Sequence, residues 1–192
     1  MSWQYTPYAL PLFLATATLL GLTAIAWRRR QMPGARVFGM LTLVVAIWTL
    51  GYAFELGSTT LGQIVFWAKL EYFGIVGGTF CAMLLTLIYT QRRHWLTPTR
   101  LAGLALIPAI TLALVWTNEL HGLIWRTVGL IRIGPVARFD VTYGWWFAVH
   151  TIYSYAILLG CQVLLYQAFL RSKRPYRGQA AVLALSASAP LL

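Results

Sequence analysis

The sequence predicts an all-α protein, built as a polytopic bundle of transmembrane helices. Of its 192 residues, 59% are hydrophobic and only 10% are charged, whereas soluble domains carry about 25% charged residues. The apolar residues form long runs, and a run of about 20 is enough for a helix to cross the hydrocarbon core of a bilayer. The basic residues fall in short clusters between these runs, as they do where they fix the orientation of membrane helices. The lipid bilayer is therefore the expected surroundings of the chain.

Five runs are long enough to be full spans, and a sixth is partial. The residues before the first run lack a basic cluster, and the run exceeds the apolar core of a cleavable signal peptide, so we expect a retained helix. The third run is long enough to tilt or to project beyond the bilayer. The last run stops after about 14 residues, which suggests a fragment of a larger domain, because a protein rarely ends inside a span. The predicted helices are residues 5–27, 37–56, 61–90, 100–117, 144–170 and 179–192.

The basic residues predict how these helices are oriented. Three lie on one side of the predicted membrane, namely Arg126, Arg132 and Arg138. The positive-inside rule places the richer side in the cytoplasm, so the N-terminus is expected to be extracytoplasmic. The richer side carries eleven basic residues, which are Arg28, Arg29, Arg30, Arg36, Arg92, Arg93, Arg100, Arg171, Lys173, Arg174 and Arg177.

The one long loop, residues 118–143, is predicted to lie on the extracytoplasmic side. Apolar and polar residues alternate on both sides of Gly134 and Pro135. Alternation around a Gly-Pro turn indicates a short β-hairpin or a cap over the bundle.

Three charged side chains fall inside predicted spans: Glu55, Lys69 and Glu71. A charge in a membrane costs about 2.5 to 3.5 kcal/mol on insertion scales, so such residues usually face the bundle interior. Lys69 and Glu71 are two residues apart and point to different faces of a helix. One hypothesis is an ion pair between Glu55 and Lys69, with the lysine reaching outward. The group then forms either a polar pocket near the outer surface or a contact that only fixes helix packing.

Further polar residues follow helix four and line helix five. Residues 117–125 are rich in hydrogen-bonding groups and either bind a ligand or anchor the loop at the membrane surface. His150 shares a helical stripe with Ser154 and Cys161, and a lone histidine in a membrane helix more often holds helices together than binds a metal. The predicted ligand-binding residues are Trp48, Glu55, Trp67, Lys69, Glu71, Asn118, His121, His150 and Tyr153.

The sequence predicts no catalytic residue, no metal site and no cofactor. Its three histidines lack the spacing of metal ligands, and it has no phosphate-binding loop, nucleophile elbow or zinc-protease motif. Cys81 and Cys161 each sit within an apolar run and are expected to be small core residues. The net charge of +11 is explained by the topology of the helices, so no nucleic-acid partner is expected.

Several short stretches, in order and spacing, resemble the N-terminal seven-transmembrane region of bacterial sensor histidine kinases. They extend over nearly the whole chain. They are WTLGYAFEL at 48–56, FWAKLEYFG at 66–74, LIYT at 87–90, IPAIT at 107–111, WTN at 116–118, His121, Trp125, GWWF at 144–147, His150, Tyr153, Tyr155, YRGQ at 176–179 and Pro190.

The resemblance implies a sensor domain in the bacterial cytoplasmic (inner) membrane. It would detect an extracytoplasmic or membrane signal, such as an unknown small ligand, and pass it to cytoplasmic output domains of the same full-length chain. In the family these are often a PAS domain and the kinase core of a two-component system, or else a diguanylate cyclase. The resemblance also implies a homodimer. This sequence has no phosphoacceptor helix and no ATP-binding domain, so the chain itself is not expected to be an enzyme.

Two other functions remain open on the residues alone. A small transporter or channel would be favoured by solute flux in liposomes, although the paired halves and broken helices typical of transporters are not evident. A membrane enzyme acting on lipid or isoprenoid would be favoured by turnover of such a substrate. It would need acids or histidines clustered at one depth, and only Glu55, Lys69 and Glu71 come close.

Overall fold

The computed structural model describes residue 4 and residues 6–133 and 136–171. Within them, five helices are long and apolar enough to cross a membrane, which confirms the predicted all-α polytopic bundle. The sixth helix predicted at 179–192 lies outside the described residues. The elements are α1 (Ala9–Arg28), α2 (Ala35–Gly57), α3 (Leu61–Tyr89), a 3₁₀ turn (Arg93–Trp95), α4 (Pro98–Trp116), the single turn α5 (Asn118–His121), β1 (Trp125–Ile133), β2 (Val136–Tyr143) and α6 (Trp145–Arg171).

Short connections make successive long helices antiparallel and give the bundle two distinct ends. One end carries the α2–α3 turn, α5 and the two strands; we call it the hairpin end. The other carries the α1–α2 and α3–α4 connections and the end of α6; we call it the arginine end. There the Arg92 guanidinium donates a hydrogen bond of 2.8 Å to Oε1 of Gln167, which ties the end of α3 to the end of α6. The basic residues described at this end are Arg28, Arg29, Arg30, Arg36, Arg92, Arg93, Arg100 and Arg171.

Helices α2 and α3 approach each other closely along a line of glycines. A Cβ atom added at Gly74 would collide with Cβ of Trp48 and lie 2.5 Å from the backbone oxygen of Val44, and one added at Gly51 would lie 2.8 Å from Cγ of Glu71. In membranes, where lipid is as apolar as the side chains, small residues allow helices to gain packing energy by close contact. Gly74 and Gly78 of α3 have the spacing of a GxxxG motif, and glycines on both helices make this approach possible.

Helices α1 and α2 are joined by threonine side chains. The hydroxyls of Thr16 and Thr49 lie 2.8 Å apart, and so do those of Thr23 and Thr42. All four threonines also lie within hydrogen-bonding distance of a carbonyl on their own helix. In each pair, therefore, one hydroxyl can donate to that carbonyl and the other to its partner threonine. Pairs of this kind contribute about 0.6 kcal/mol on average in membrane proteins.

The two strands pair antiparallel and flank Gly134 and Pro135, as the alternation predicts. They are longer than expected, because pairing starts at Trp125. Trp125 is buried and packs edge to face on Tyr72 of α3, with ring centroids 5.6 Å apart. The main buried cluster therefore lies at the hairpin end, between α3, α4 and the start of β1, and comprises Ala68, Tyr72, Val76, Val115, Ile124 and Trp125.

Candidate functional site

Helix α3 carries polar side chains on two faces at the hairpin end. One face meets α2 and holds Glu71, while the other meets α4 and holds Lys69. Both residues are buried. Because α3 packs against α2, α4 and α6, a rearrangement of side chains on either face would alter its contacts with these helices.

Glu71 pairs with Glu55 across the α2–α3 interface. Their side chains lie within hydrogen-bonding reach of each other, and the Trp48 side chain is a second polar neighbour of Glu71. Trp48 itself is partly exposed on the outside of the bundle. The structure thus brings together three of the predicted site residues.

The direction of the two helices explains why these carboxyl groups meet. Side chains on a helix lean toward its N-terminus. Helix α2 runs toward the hairpin end, so Glu55 leans back into the bundle, whereas α3 runs away from that end and Glu71 leans toward it. Gly51 lies between them on α2, and its missing side chain leaves the space that Cγ of Glu71 occupies.

The hypothesis of an ion pair between Glu55 and Lys69 is wrong. Nζ of Lys69 instead lies 2.6 Å from Oε1 of Glu119 in α5 and donates a longer bond, 3.3 Å, to the carbonyl oxygen of Trp116. The physical reason is the face of α3: the face toward α2 is taken by Glu71 and the glycines, and Lys69 points away from it. The ammonium group also lies 5.8 Å from the Trp116 ring centroid, and a cation is favourable beside the last carbonyls of α4.

Glu119 is the functional candidate that sequence reasoning missed. Lys69 lies eight residues into α3, about 12 Å below its start at 1.5 Å per residue, so a partner in the turn after α4 was hard to foresee. The signal was present nonetheless, because Glu119 is the only acid between helices four and five that lies next to a predicted span. The contact also has a consequence for the acid, since the hydrogen bond from Lys69 lowers the pKa of Glu119 below its usual range.

We expect the Lys69–Glu119 pair to stabilise the protein at neutral pH and to be lost in acid. A glutamate whose pKa is lowered by folding contributes stability above its unfolded pKa, and that contribution disappears as the pH falls through the folded pKa. The glutamate side chain is 62% exposed, so Glu119→Gln should cost at most about 1 kcal/mol. The measurement is the melting temperature of the wild type and of this variant in detergent over a series of pH values. The difference between the two should disappear once the pH falls below the range in which glutamates usually titrate.

Lys69→Met serves as the matched comparison for this prediction. Lys69→Met removes the ammonium group itself. Glu119→Gln removes only its partner and leaves a buried ammonium group without a counter-charge. Lys69→Met should therefore cost less than Glu119→Gln at neutral pH. Equal melting temperatures of Glu119→Gln and the wild type at neutral pH would contradict the predicted contribution.

Asn118 is buried and is fully occupied by the backbone that follows it. Its Oδ1 accepts hydrogen bonds of 3.0 Å from the N–H groups of Ile124 and Trp125, and its Nδ2 donates one of 2.9 Å to the carbonyl of Trp125. The chain can turn back so tightly because Gly122 adopts a left-handed conformation, with φ of 61°. Asn118 therefore holds the loop to the start of β1, and its ligand-binding role stays a prediction.

His121 is exposed, and both of its ring nitrogens have partners. Nδ1 accepts a hydrogen bond of 3.0 Å from the N–H of Leu123, which leaves Nε2 to donate to the Thr117 hydroxyl at 3.1 Å. The ring borders a cleft of about 520 Å³ at the hairpin end, beside the opposite charges of Glu119 and Arg126. This cleft is the polar concave surface closest to the Lys69–Glu119 pair among the described residues.

His150 is buried in the interface between α4 and α6. Its Nδ1 lies 3.5 Å from the Thr111 hydroxyl and its Nε2 3.3 Å from Ser154. Thr111 also accepts a 3.0 Å bond from the indole N–H of Trp146. These contacts place His150 away from the two carboxyl groups and give it partners that hold helices together.

Tyr153 satisfies a carbonyl that Pro108 leaves without a donor. Within a helix, a proline lacks the N–H that would bind the carbonyl four residues earlier, here that of Leu104. The Tyr153 hydroxyl donates to this carbonyl at 2.6 Å. Trp67, the last predicted site residue, stacks on Phe54 of α2 with ring centroids 4.6 Å apart. Tyr153 and Trp67 thus lie in different helix interfaces and do not share a pocket with Lys69.

The described residues contain no group of three histidine, cysteine or acidic side chains that could hold a metal ion. Cys81 and Cys161 are free and buried, and Sγ of Cys161 lies 3.9 Å from the sulfur of Met83.

A family model described as the N-terminal 7TM region of histidine kinase matches residues 11–192 of the chain. No curated protein matches it.

Proposed function

Because the chain belongs to the family of N-terminal 7TM regions of histidine kinases, we propose that it is the signal-input domain of a membrane-bound histidine kinase or a related signalling protein such as a diguanylate cyclase. Its role would be to detect an extracytoplasmic or membrane signal and to pass it to cytoplasmic output domains. The matched family is a membrane region and not a catalytic domain, so the kinase or cyclase activity would belong to the rest of the full-length protein.

The observation that carries the proposal is the arrangement of polar groups around α3. Lys69 and Glu71 are buried on opposite sides of this helix, one bonded to α5 and the other to α2. Charges are costly in a membrane and usually mark functional positions there. α3 continues from these contacts to the arginine end, where Arg92 meets Gln167 of α6.

A ligand would act by favouring one of two arrangements of these helices. The cleft beside Glu119, His121 and Arg126 is open at the hairpin end and could receive a small polar molecule. A ligand that bound the Glu119 carboxylate would release Lys69 and change the contact of α3 with α4. It could shift the balance only by its difference in affinity for the two arrangements. Trp48, Trp67, Asn118, His150 and Tyr153 would keep the surrounding helices in place.

The proposal includes an orientation and partners. The arginine end would lie in the cytoplasm of a bacterial cell, under the inner membrane, because basic residues favour that side. The hairpin end and the N-terminus would then be extracytoplasmic. The family resemblance suggests that two copies of the protein form a homodimer. The output domains would follow α6 in the same chain.

The first test is the coding sequence beyond the codon for Leu192 together with the output of the full-length protein. We expect a kinase core or a cyclase domain to be encoded there. In proteoliposomes, the double variant Lys69→Met, Glu119→Gln should change the basal rate of phosphate incorporation from ATP, or of cyclic nucleotide synthesis, by about fivefold or more, the range of typical coupling energies. Gly103→Ala, whose added methyl group has no described neighbour within 4 Å, is the control.

Two results would count against the proposal. A gene that encodes no output domain would remove the sensor function itself. Unchanged basal output in the folded double variant would show that the polar groups on the α4 side of α3 do not set the signalling state.

A further inference from the structure

We propose that Glu55 and Glu71 form a proton-binding site, in which the two carboxyl groups share one proton within the α2–α3 interface near the hairpin end. The site would bind its proton whether or not output domains are attached to the chain. Its use as a signal rests on the function proposed above.

The first argument is the chemistry of the contact. An ionised carboxylate only accepts hydrogen bonds, and a carboxyl group donates one only when it is protonated. The side chains of Glu55 and Glu71 lie within hydrogen-bonding reach of each other, and a hydrogen bond between them requires a hydrogen on one of the two carboxyls. The contact is therefore favourable when the pair holds one proton and unfavourable when both residues are ionised.

The second argument is an oxygen atom without a donor. Glu71 is only 8% exposed, and its Oε1 is buried with no hydrogen-bond partner among the described residues. Leaving a buried carboxylate oxygen without a donor is costly, and buried polar atoms in folded proteins are nearly always paired. A proton bound between the two carboxyl groups reduces the net charge of the pair from −2 to −1. It therefore lowers the free-energy cost of burying this oxygen.

The third argument is the absence of a neutralising cation among the side chains that the structure describes. From α1 and α2 the basic residues are Arg28 and Arg36, both at the arginine end. On α3, Lys69 is bound to Glu119, and the nearest titratable neighbour of Glu71 on that helix is the phenol of Tyr72. Asp140 and Tyr143 of β2, which packs against α2, add no positive charge. Among the described side chains, two negative charges side by side would have no cationic partner here, and like-charged carboxyls in contact hold a proton for that reason.

Release of the proton would alter the packing of α2 against α3. The O–H bond breaks, the proton passes to water at the hairpin end, and two carboxylates remain in contact. Their repulsion acts where the two helices are in close contact, beside Gly51, whose space is filled by Cγ of Glu71. The proton would thus be a ligand that favours the closely packed arrangement.

Infrared spectroscopy tests the site directly, because the chain contains only three glutamates and one aspartate. In the protein reconstituted in vesicles of a neutral phospholipid, we expect the C=O stretch of one protonated carboxyl group at neutral pH. Carbon-13 labelling of glutamate should shift this band, which excludes Asp140. The band should be lost in Glu55→Gln and in Glu71→Gln, where an amide N–H can replace the shared proton, and kept in Glu119→Gln.

The outcomes are distinct. A wild-type protein with no protonated carboxyl group at neutral pH, or a band that survives in both Glu55→Gln and Glu71→Gln, would overturn the site. If either variant failed to fold, the labelled wild type and Glu119→Gln would still decide the matter. The result does not depend on an output domain, so failure of this site and failure of the sensor function can be told apart.

Discussion

Replacing Gly74 with alanine should destabilise the bundle by about 3 kcal/mol, near the upper end of the range for overpacked cores. The added methyl group would collide with Cβ of Trp48 and lie 2.5 Å from the Val44 carbonyl. Backbone atoms cannot move aside as a flexible side chain can, so α2 and α3 would have to separate. The measurement is the free energy of unfolding in mixed detergent, followed by tryptophan fluorescence.

Gly103→Ala is the control, because it makes the same chemical change in a helix where the added methyl group meets no described atom within 4 Å. Alanine is favoured over glycine in a helix by up to about 1 kcal/mol, so this variant should be as stable as the wild type or slightly more stable. If both variants unfolded with the same free energy, close contact at Gly74 would not be what holds α2 and α3 together.

Replacing Asn118 with alanine should cost about 3 kcal/mol and release the start of the hairpin. Three backbone groups, two N–H and one C=O, lose the only side chain that bonds them in this turn. Each buried group left unpaired costs roughly 1 to 3 kcal/mol, and partial access of water at the hairpin end offsets some of that sum. Hydrogen exchange of the amides of Ile124 and Trp125 should become much faster than in the wild type.

Two further variants separate the hydrogen bonds from side-chain size. Asn118→Asp retains the acceptor for Ile124 and Trp125 N–H but loses the donor to the Trp125 carbonyl, so its stability should fall between the wild type and Asn118→Ala. Leu120→Ala removes a larger side chain that is 85% exposed and should change little. Exchange rates at Ile124 that do not differ between Asn118→Ala and Leu120→Ala would contradict this account of the turn.

The helices could be predicted from sequence because their cause is local. A run of apolar residues of sufficient length has few alternatives in a membrane. The hairpin was also predictable, since alternation around Gly134 and Pro135 is a pattern of neighbouring residues. What these patterns do not specify is the rotation of each helix about its axis, and the pairing of Lys69 depends on that rotation.

The rotation of α3 is fixed by its glycines. Gly74 and Gly77 lie three and six residues after Glu71, so all three share one face, and this face meets α2 at Val44 and Trp48. A search for small residues at this spacing would have assigned Glu71, and not Lys69, to the α2 side. The GxxxG motif alone is too narrow a criterion, because the glycines that matter here belong to two helices.

The roles of His150 and Tyr153 were harder to predict, since each depends on a partner on α4. Polar residues in a membrane helix are candidates for ligand binding, but they also satisfy one another. Because Pro108 leaves the Leu104 carbonyl without a helical donor, a hydroxyl on a neighbouring helix could be expected to bind it. The sequence alone does not identify Tyr153 as the source of that hydroxyl. The ligand-binding role of these residues stays a prediction.

The hydrogen bond between Tyr153 and Leu104 also bears on how such a sequence can change over generations. A lineage that lost Pro108 would regain a helical N–H for the Leu104 carbonyl, and this oxygen could still accept from the Tyr153 hydroxyl because it has two lone pairs. A lineage that first lost the hydroxyl would leave the carbonyl unpaired. The order of the two changes therefore matters: the proline can be lost first, whereas the hydroxyl is needed for as long as the proline, 45 residues earlier in the chain, is present.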